Sequence, residues 1–255
     1  MRDRKDRFSN KQSKLRSALC IIFSVLLLFS IYKIGKWHID NNKTNKQMKI
    51  IHSAVSVITT DESNNHNELK IDFDKLKELN NDTVAYLVIK NSNINYPVVQ
   101  ADENDYYLHH GFDKKSNDAG WIFGDYRNKF DGSDKNVIIY GHNRKDKSMF
   151  GSLNNVFDSS WNSNKENLTF DLYREGKKDS YRIFSSYETI NTDDYLKTDF
   201  SDDEFLEYVN NVKKKSIKDY QVEIYNNDKI ITLSTCGKNS KTRVVVHAVK
   251  INNYD

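Results

Sequence analysis

His142, Cys236 and Arg243 are the side chains of this chain whose chemistries could combine. Thiolate is the nucleophilic form of cysteine. A free thiol titrates at about 8.5 and a free imidazole at about 6.5, so at neutral pH an unperturbed pair is mostly thiol and neutral imidazole. A guanidinium nearby favours thiolate by opposite charge and disfavours imidazolium by like charge. Together the three would run acyl transfer. The sulfur attacks a peptide carbonyl, the imidazole protonates the leaving amine, and an incoming amine replaces the thioester. Arg243, with a backbone N–H, would stabilise the oxyanion or hold the substrate backbone. The alternative for Cys236 is a small buried hydrophobe at a strand end.

The elements that must position them read as follows. Lys229 to Lys250, KIITLSTCGKNSKTRVVVHAVK, is two runs of β-formers around the turn composition Gly237–Lys241. Period-2 alternation puts Ile231, Leu233 and Thr235 on one face and Thr232, Ser234 and Cys236 on the other. On the second strand Val244, Val246 and Ala248 oppose Arg243, Val245 and His247. With the apolar sets turned to a core, Cys236 and Arg243 emerge on one outer surface, at the same end of a hairpin.

Two histidines compete as the base. Asn136 to Asn143, NVIIYGHN, is a buried-strand run, and it sets His142 where the strand leaves the sheet, a common place for a working residue. His247 shares the Arg243 face but lies roughly 13 Å further along the strand, which favours a structural role for it. Adjacent His109 and His110 make no metal site without further ligands. No His/Asp/Glu cluster has ligand spacing, and no cofactor is expected.

Elsewhere, Met48, Ile51, Val55 and Ile58 have helical spacing and predict one amphipathic helix over 40–58. Residues 59–67 read as a linker, and 71–79 as a short helix. From Thr83 the chain is strand-rich: 84–89, then 94–98 with Pro97 marking a strand edge. The stretches 105–111 and 120–126 read as loops and a short strand, and 148–157 as a helix with Ser148 as cap. The runs 168–173 and 181–190 flank a hairpin turn at 175–179. Ser201 and Glu204 stand in capping-box register before a helix through Lys215, whose terminal lysines suit its C-terminus. Mainly β with flanking helices is the expected class.

Ala18 to Ile34, ALCIIFSVLLLFSIYKI, is the long hydrophobic run. At about 1.5 Å per residue it falls slightly short of a core of roughly 30 Å, and Leu15 and Trp37 extend it. Arg2, Arg4, Lys5, Arg7, Lys11, Lys14 and Arg16 precede it against Asp3 and Asp6, so the positive-inside rule puts the N-terminus in the cytoplasm and the rest outside. No small-x-small cleavage site follows, which favours an uncleaved signal anchor over a signal peptide. The implied division is a basic tail 1–17, a transmembrane anchor 18–37, an extracellular helical segment 38–79 and a catalytic domain 80–255. The 39 basic and 36 acidic residues nearly balance, which argues against nucleic acid as a partner. With Cys20 in the apolar run, Cys236 is expected to be a free thiol.

TLSTC (Thr232–Cys236) followed by RVVVHAV (Arg243–Val249), together with YGHN and SMFGSL around His142, resembles the sortases, most closely class B. The resemblance covers roughly residues 80 to 250. It implies a closed β-barrel of about eight strands, an N-terminal helical segment and a helix in the loop before the cysteine strand. It implies a membrane-anchored cysteine transpeptidase of a Gram-positive bacterium. Its partners would be surface proteins with a C-terminal NPxTx- or LPxTG-like sorting motif, cleaved after Thr, and a peptidoglycan precursor amine. By position, Ser234 and Thr235 would line the substrate groove. Gly237 departs from the acidic or polar residue that many class B members carry after the cysteine. Two rivals remain open: a thiol peptidase that passes its acyl group to water, and a non-catalytic cell-wall binding module with Cys236 merely buried. A pilin-polymerising variant would use a lysine acceptor.

Overall fold

A computed structural model of the chain describes residues 2–59, 67–190, 194–236 and 241–251. The chain divides into two compact units, residues 1–45 and 46–255. Helix α1 (Arg2–His52) supplies the first. Between Leu19 and Ile34 its large apolar side chains are exposed, and the segment is long and apolar enough to cross a membrane.

In the second unit α1 ends sooner than its apolar spacing predicts. The N–H groups of Ser53 and Ala54 close the last turn onto Ile50 and Ile51. Val55–Thr59 is then strand β1, antiparallel to β2 (Asn67–Ile71). Val55 and Ile58 fit a helical period, but VSVIT is a β-branched run and pairing with β2 decides its state. Residues 60–66 of the expected linker lie outside the described residues. Helix α2 (Phe73–Leu79) is capped by the Asp72 carboxylate, which accepts from Lys75 N–H at 3.0 Å.

The remaining strands are β3 (Thr83–Ile89), β4 (Asn95–Val99), β5 (Phe123–Gly124), β6 (Asn136–Tyr140), β7 (Thr169–Arg174), β8 (Lys177–Ile190), β9 (Ile230–Cys236) and β10 (Thr242–Lys250). They close into an eight-stranded barrel in the order β10-β8-β7-β3-β4-β5-β6-β9, as the resemblance implied. Closure leaves no long free edge. Pairing is antiparallel except for β4–β5 and β6–β9. Pro97 does sit on a sparsely paired side: β4 meets β5 only at Val99. The interior is filled by Leu87, Phe170, Ile183, Leu233 and Val246, each almost fully buried.

The segment from Ser148 differs from its expected form. Gly151–Phe157 is a 3-10 turn, and the Ser148 hydroxyl donates to Asp146 at 2.6 Å instead of capping a helix. A short helix α3 (Ser159–Ser163) follows. Helix α4 (Asp202–Lys215) occupies the connection before β9, and the Glu204 carboxylate accepts from the Ser201 N–H at 3.0 Å and hydroxyl at 2.8 Å.

Candidate active site

The hairpin register puts Arg243 directly across from Cys236, with Val245 opposite Ser234 and His247 opposite Thr232. On the other flank β9 runs parallel to β6, with Tyr140 against Ser234. The Gly141 N–H prolongs this ladder by donating to the Ser234 carbonyl at 3.3 Å. His142 therefore leaves β6 two positions past Tyr140, as Cys236 stands two positions past Ser234. Three chain segments end side by side, at one rim of the barrel. The Cys236 side chain and residues 237–240, Gly237 included, lie outside the described residues.

On the face that carries Arg243, that residue is half-buried at the rim. Further along, Ser234, Val245, Thr232 and His247 are all buried, because a second layer covers them. The Tyr195 hydroxyl lies 3.1 Å from Ser234 Oγ, and Tyr208 of α4 meets the His247 ring edge-on at 6.0 Å. Thr235 shares the inner face with Leu233; it is equally buried, and its hydroxyl has no hydrogen-bond partner among the described residues. Of the two residues expected along the groove, Ser234 stands on the cysteine face and Thr235 on the opposite one.

His142 is half-buried. Its Nε2 lies 2.8 Å from the Leu108 carbonyl. A carbonyl only accepts, so Nε2 carries a proton and Nδ1 is the nitrogen left for proton exchange. Leu108 belongs to a 3-10 turn, Tyr106–Leu108, that is pinned from below. The Tyr107 hydroxyl donates to Asp82 at 2.6 Å and accepts from Asn80 Nδ2 at 2.9 Å. Burial, followed by the Asp82 hydrogen bond, holds the Tyr107 hydroxyl far above the ordinary phenol range. Gly120, at φ +59°, lets the ring lie close: a Cβ there would come 2.7 Å from His142 Cδ2.

His247 has the structural role that its position predicts. It is fully buried, with Nδ1 2.9 Å from Thr232 Oγ1 and Nε2 3.0 Å from the Tyr187 hydroxyl. Burial pulls its pKa down to about 3, so the ring is neutral at physiological pH. His110 is spent on packing, stacked on Tyr106 at 4.1 Å.

One group that the sequence did not single out is Asp125. It is fully buried, and its carboxylate accepts from the Tyr140 hydroxyl at 2.8 Å and from Arg127 Nη2 at 2.7 Å. Burial opposes its ionisation, yet the Arg127 hydrogen bonds outweigh that and hold it below the usual carboxylate range. An Asp and an Arg two apart in a loop give no periodic signal.

Comparison with known proteins agrees with this geometry. The Sortase domain family matches residues 87–251. Sortase B of Listeria monocytogenes serovar 1/2a (strain ATCC BAA-679 / EGD-e) is 38% identical over 229 residues, covering 88% of this chain and 91% of that protein. The crystal structure of Clostridium perfringens sortase B superposes with a TM-score of 0.67 at 34% identity, covering 71% of this chain and all of that one. A Staphylococcus aureus sortase B–substrate complex superposes equally well, TM-score 0.67 at 31% identity, over 71% of this chain and 85% of that one. The chain belongs to the sortase family, is a class B sortase, and is a cysteine transpeptidase.

Proposed function

We propose that Cys236, His142 and Arg243 carry the transpeptidation. The observation that supports this reading is the register: Arg243 faces Cys236 across one ladder, and His142 leaves the parallel neighbour at the same level. The Cys236 thiolate attacks the carbonyl after the Thr of a C-terminal sorting motif of the NPxTx or LPxTG kind. The C–N bond breaks, and a proton on His142 passes to the leaving amine. Nδ1 is the nitrogen for that transfer, since Nε2 is held by Leu108. Arg243 stabilises the oxyanion of each tetrahedral intermediate. In the second half, a neutral amine of a peptidoglycan precursor attacks the thioester, gives its proton to the imidazole, and releases thiolate and a new amide.

Ser234, on the cysteine face but buried under Tyr195, underlies the donor groove, and Thr235 supports it from the barrel side. The solved S. aureus substrate complex supports a peptide donor, and a sortase B complexed with triglycine supports a glycine amine as acceptor. Residues 18–37 anchor the enzyme in the cell membrane, with the basic tail 1–17 in the cytoplasm and the helical segment 38–79 and catalytic domain 80–255 outside.

The test is mass spectrometry of the full chain in detergent with candidate sorting peptides. An acyl adduct on Cys236, discharged faster when triglycine is added, is expected. A Cys236→Ala variant that still cleaves the peptide, or discharge indifferent to amine, refutes the reading.

A further inference from the structure

We propose that Arg127, seated on Asp125, is a positioning residue for the donor groove: it fixes the chain segment that walls Ser234. The inference rests on the reading of that groove given above. Asp125 follows β5 and is itself immobile, with its N–H on the Ile138 carbonyl at 2.9 Å and its own carbonyl bound by Gln100 Nε2 at 2.7 Å. Its Oδ1 accepts from Arg127 N–H at 3.0 Å and Nε at 2.8 Å. Its Oδ2 takes Arg127 Nη2, the Tyr140 hydroxyl and Asn104 Nδ2 at 3.2 Å. Nothing is left over on the carboxylate, so the guanidinium plane has one orientation.

From that orientation Nη2 also donates to the Leu196 carbonyl, 3.0 Å away and 69 residues along the chain. Residues 196–200 have no regular structure of their own. Three consecutive carbonyls in this segment are instead held by side chains from three places. The Tyr208 hydroxyl binds Tyr195 at 2.8 Å, Arg127 binds Leu196, and Asn136 Nδ2 binds Lys197 at 2.8 Å. Tyr195 in turn reaches Ser234, which pairs with Tyr140. The same buried carboxylate thus grips the strand that delivers His142 and, through Arg127, the wall beside Ser234. Of the three clamps Arg127 is the charged one. Its side chain is 39% exposed, so its replacement removes no packed core group, although it leaves the buried Asp125 without its cation.

The test compares full-chain wild type, Arg127→Gln and Arg127→Lys in detergent, with a sorting peptide as donor and triglycine as acceptor. Loss of a hydrogen bond to a charged group is expected to raise the donor KM about tenfold in Arg127→Gln. kcat and the acceptor KM stay near wild type, while the unfolding midpoint falls, because the buried Asp125 carboxylate loses its cationic partner. Arg127→Lys, which reaches Asp125 or Leu196 but not both, recovers part of the loss. An unchanged donor KM in both variants overturns the inference. So does a fall of kcat, or a rise of the acceptor KM as large as that of the donor KM, which marks general damage. Should Arg127→Gln fail to fold, Arg127→Lys decides by the same donor-against-acceptor split. A wild type that cleaves no sorting peptide fails at the control step, and overturns the groove reading together with this inference.

Discussion

Replacing His247 by Gln should flatten the acid limb of the stability curve. The native ring is fully buried between Thr232 and Tyr187, and its pKa is pulled down to about 3, chiefly by burial and then by the Lys215 charge, with Asp194 opposing. In the unfolded chain the same ring titrates near 6.5. Between these values the unfolded state binds a proton that the native state refuses, so unfolding free energy rises with pH across this window. A group of this kind contributes its full stability above about pH 6.5 and loses it as pH falls toward about 3. At about pH 5 the loss relative to about pH 7.5 is roughly 2 kcal/mol, at 1.36 kcal/mol per pH unit. Urea titrations of the wild type and His247→Gln at those two pH values measure it. The variant will be weaker throughout, but its drop between the two should be smaller by about 2 kcal/mol. Equal drops would mean that the ring is accessible to protons in the native state, and the structural assignment of His247 would fail.

Cys236→Ala and His142→Ala should each lower transpeptidation by at least about 10³-fold with folding intact, read from single-turnover kinetics and circular dichroism. Arg243→Lys keeps charge but loses the fork, and kcat should fall by about 10²-fold. Gly120→Ala should lower both kcat and the unfolding midpoint, because a Cβ at φ +59° would collide with His142 Cδ2 and the Tyr107 carbonyl; unchanged kcat would show the ring is not seated there. Asp179→Ala removes the shared partner of Arg174 and Lys250, the latter 2.7 Å away, in a buried cluster. Denaturant unfolding should show a loss of about 3–5 kcal/mol.

Much of the fold was legible because its strands are β-branched runs with sharp ends, as at Asn136–Tyr140 and Thr242–Lys250. Cys236 and Arg243 could be paired from alternation and a short turn alone. The parallel partner could not: that β6 lies against β9 depends on barrel closure, which no local pattern encodes. The burial of Ser234 was invisible for a related reason, since both faces of β9 are covered and the outer cover comes from Tyr195 and α4. At Val55–Thr59 a helical period and a β-branched composition competed, and pairing with Asn67–Ile71 settled it. The Leu108 carbonyl that orients His142 is backbone, and side-chain motifs cannot announce it.

Strand β10 is inserted between β8 and β9, so one segment closes the cylinder on both sides. Without Thr242–Lys250 residue 236 has no cross-strand partner on that side, and the sheet is open along two ladders. Barrel closure and the pairing of residues 236 and 243 are therefore a single folding event, set by contacts far apart in sequence.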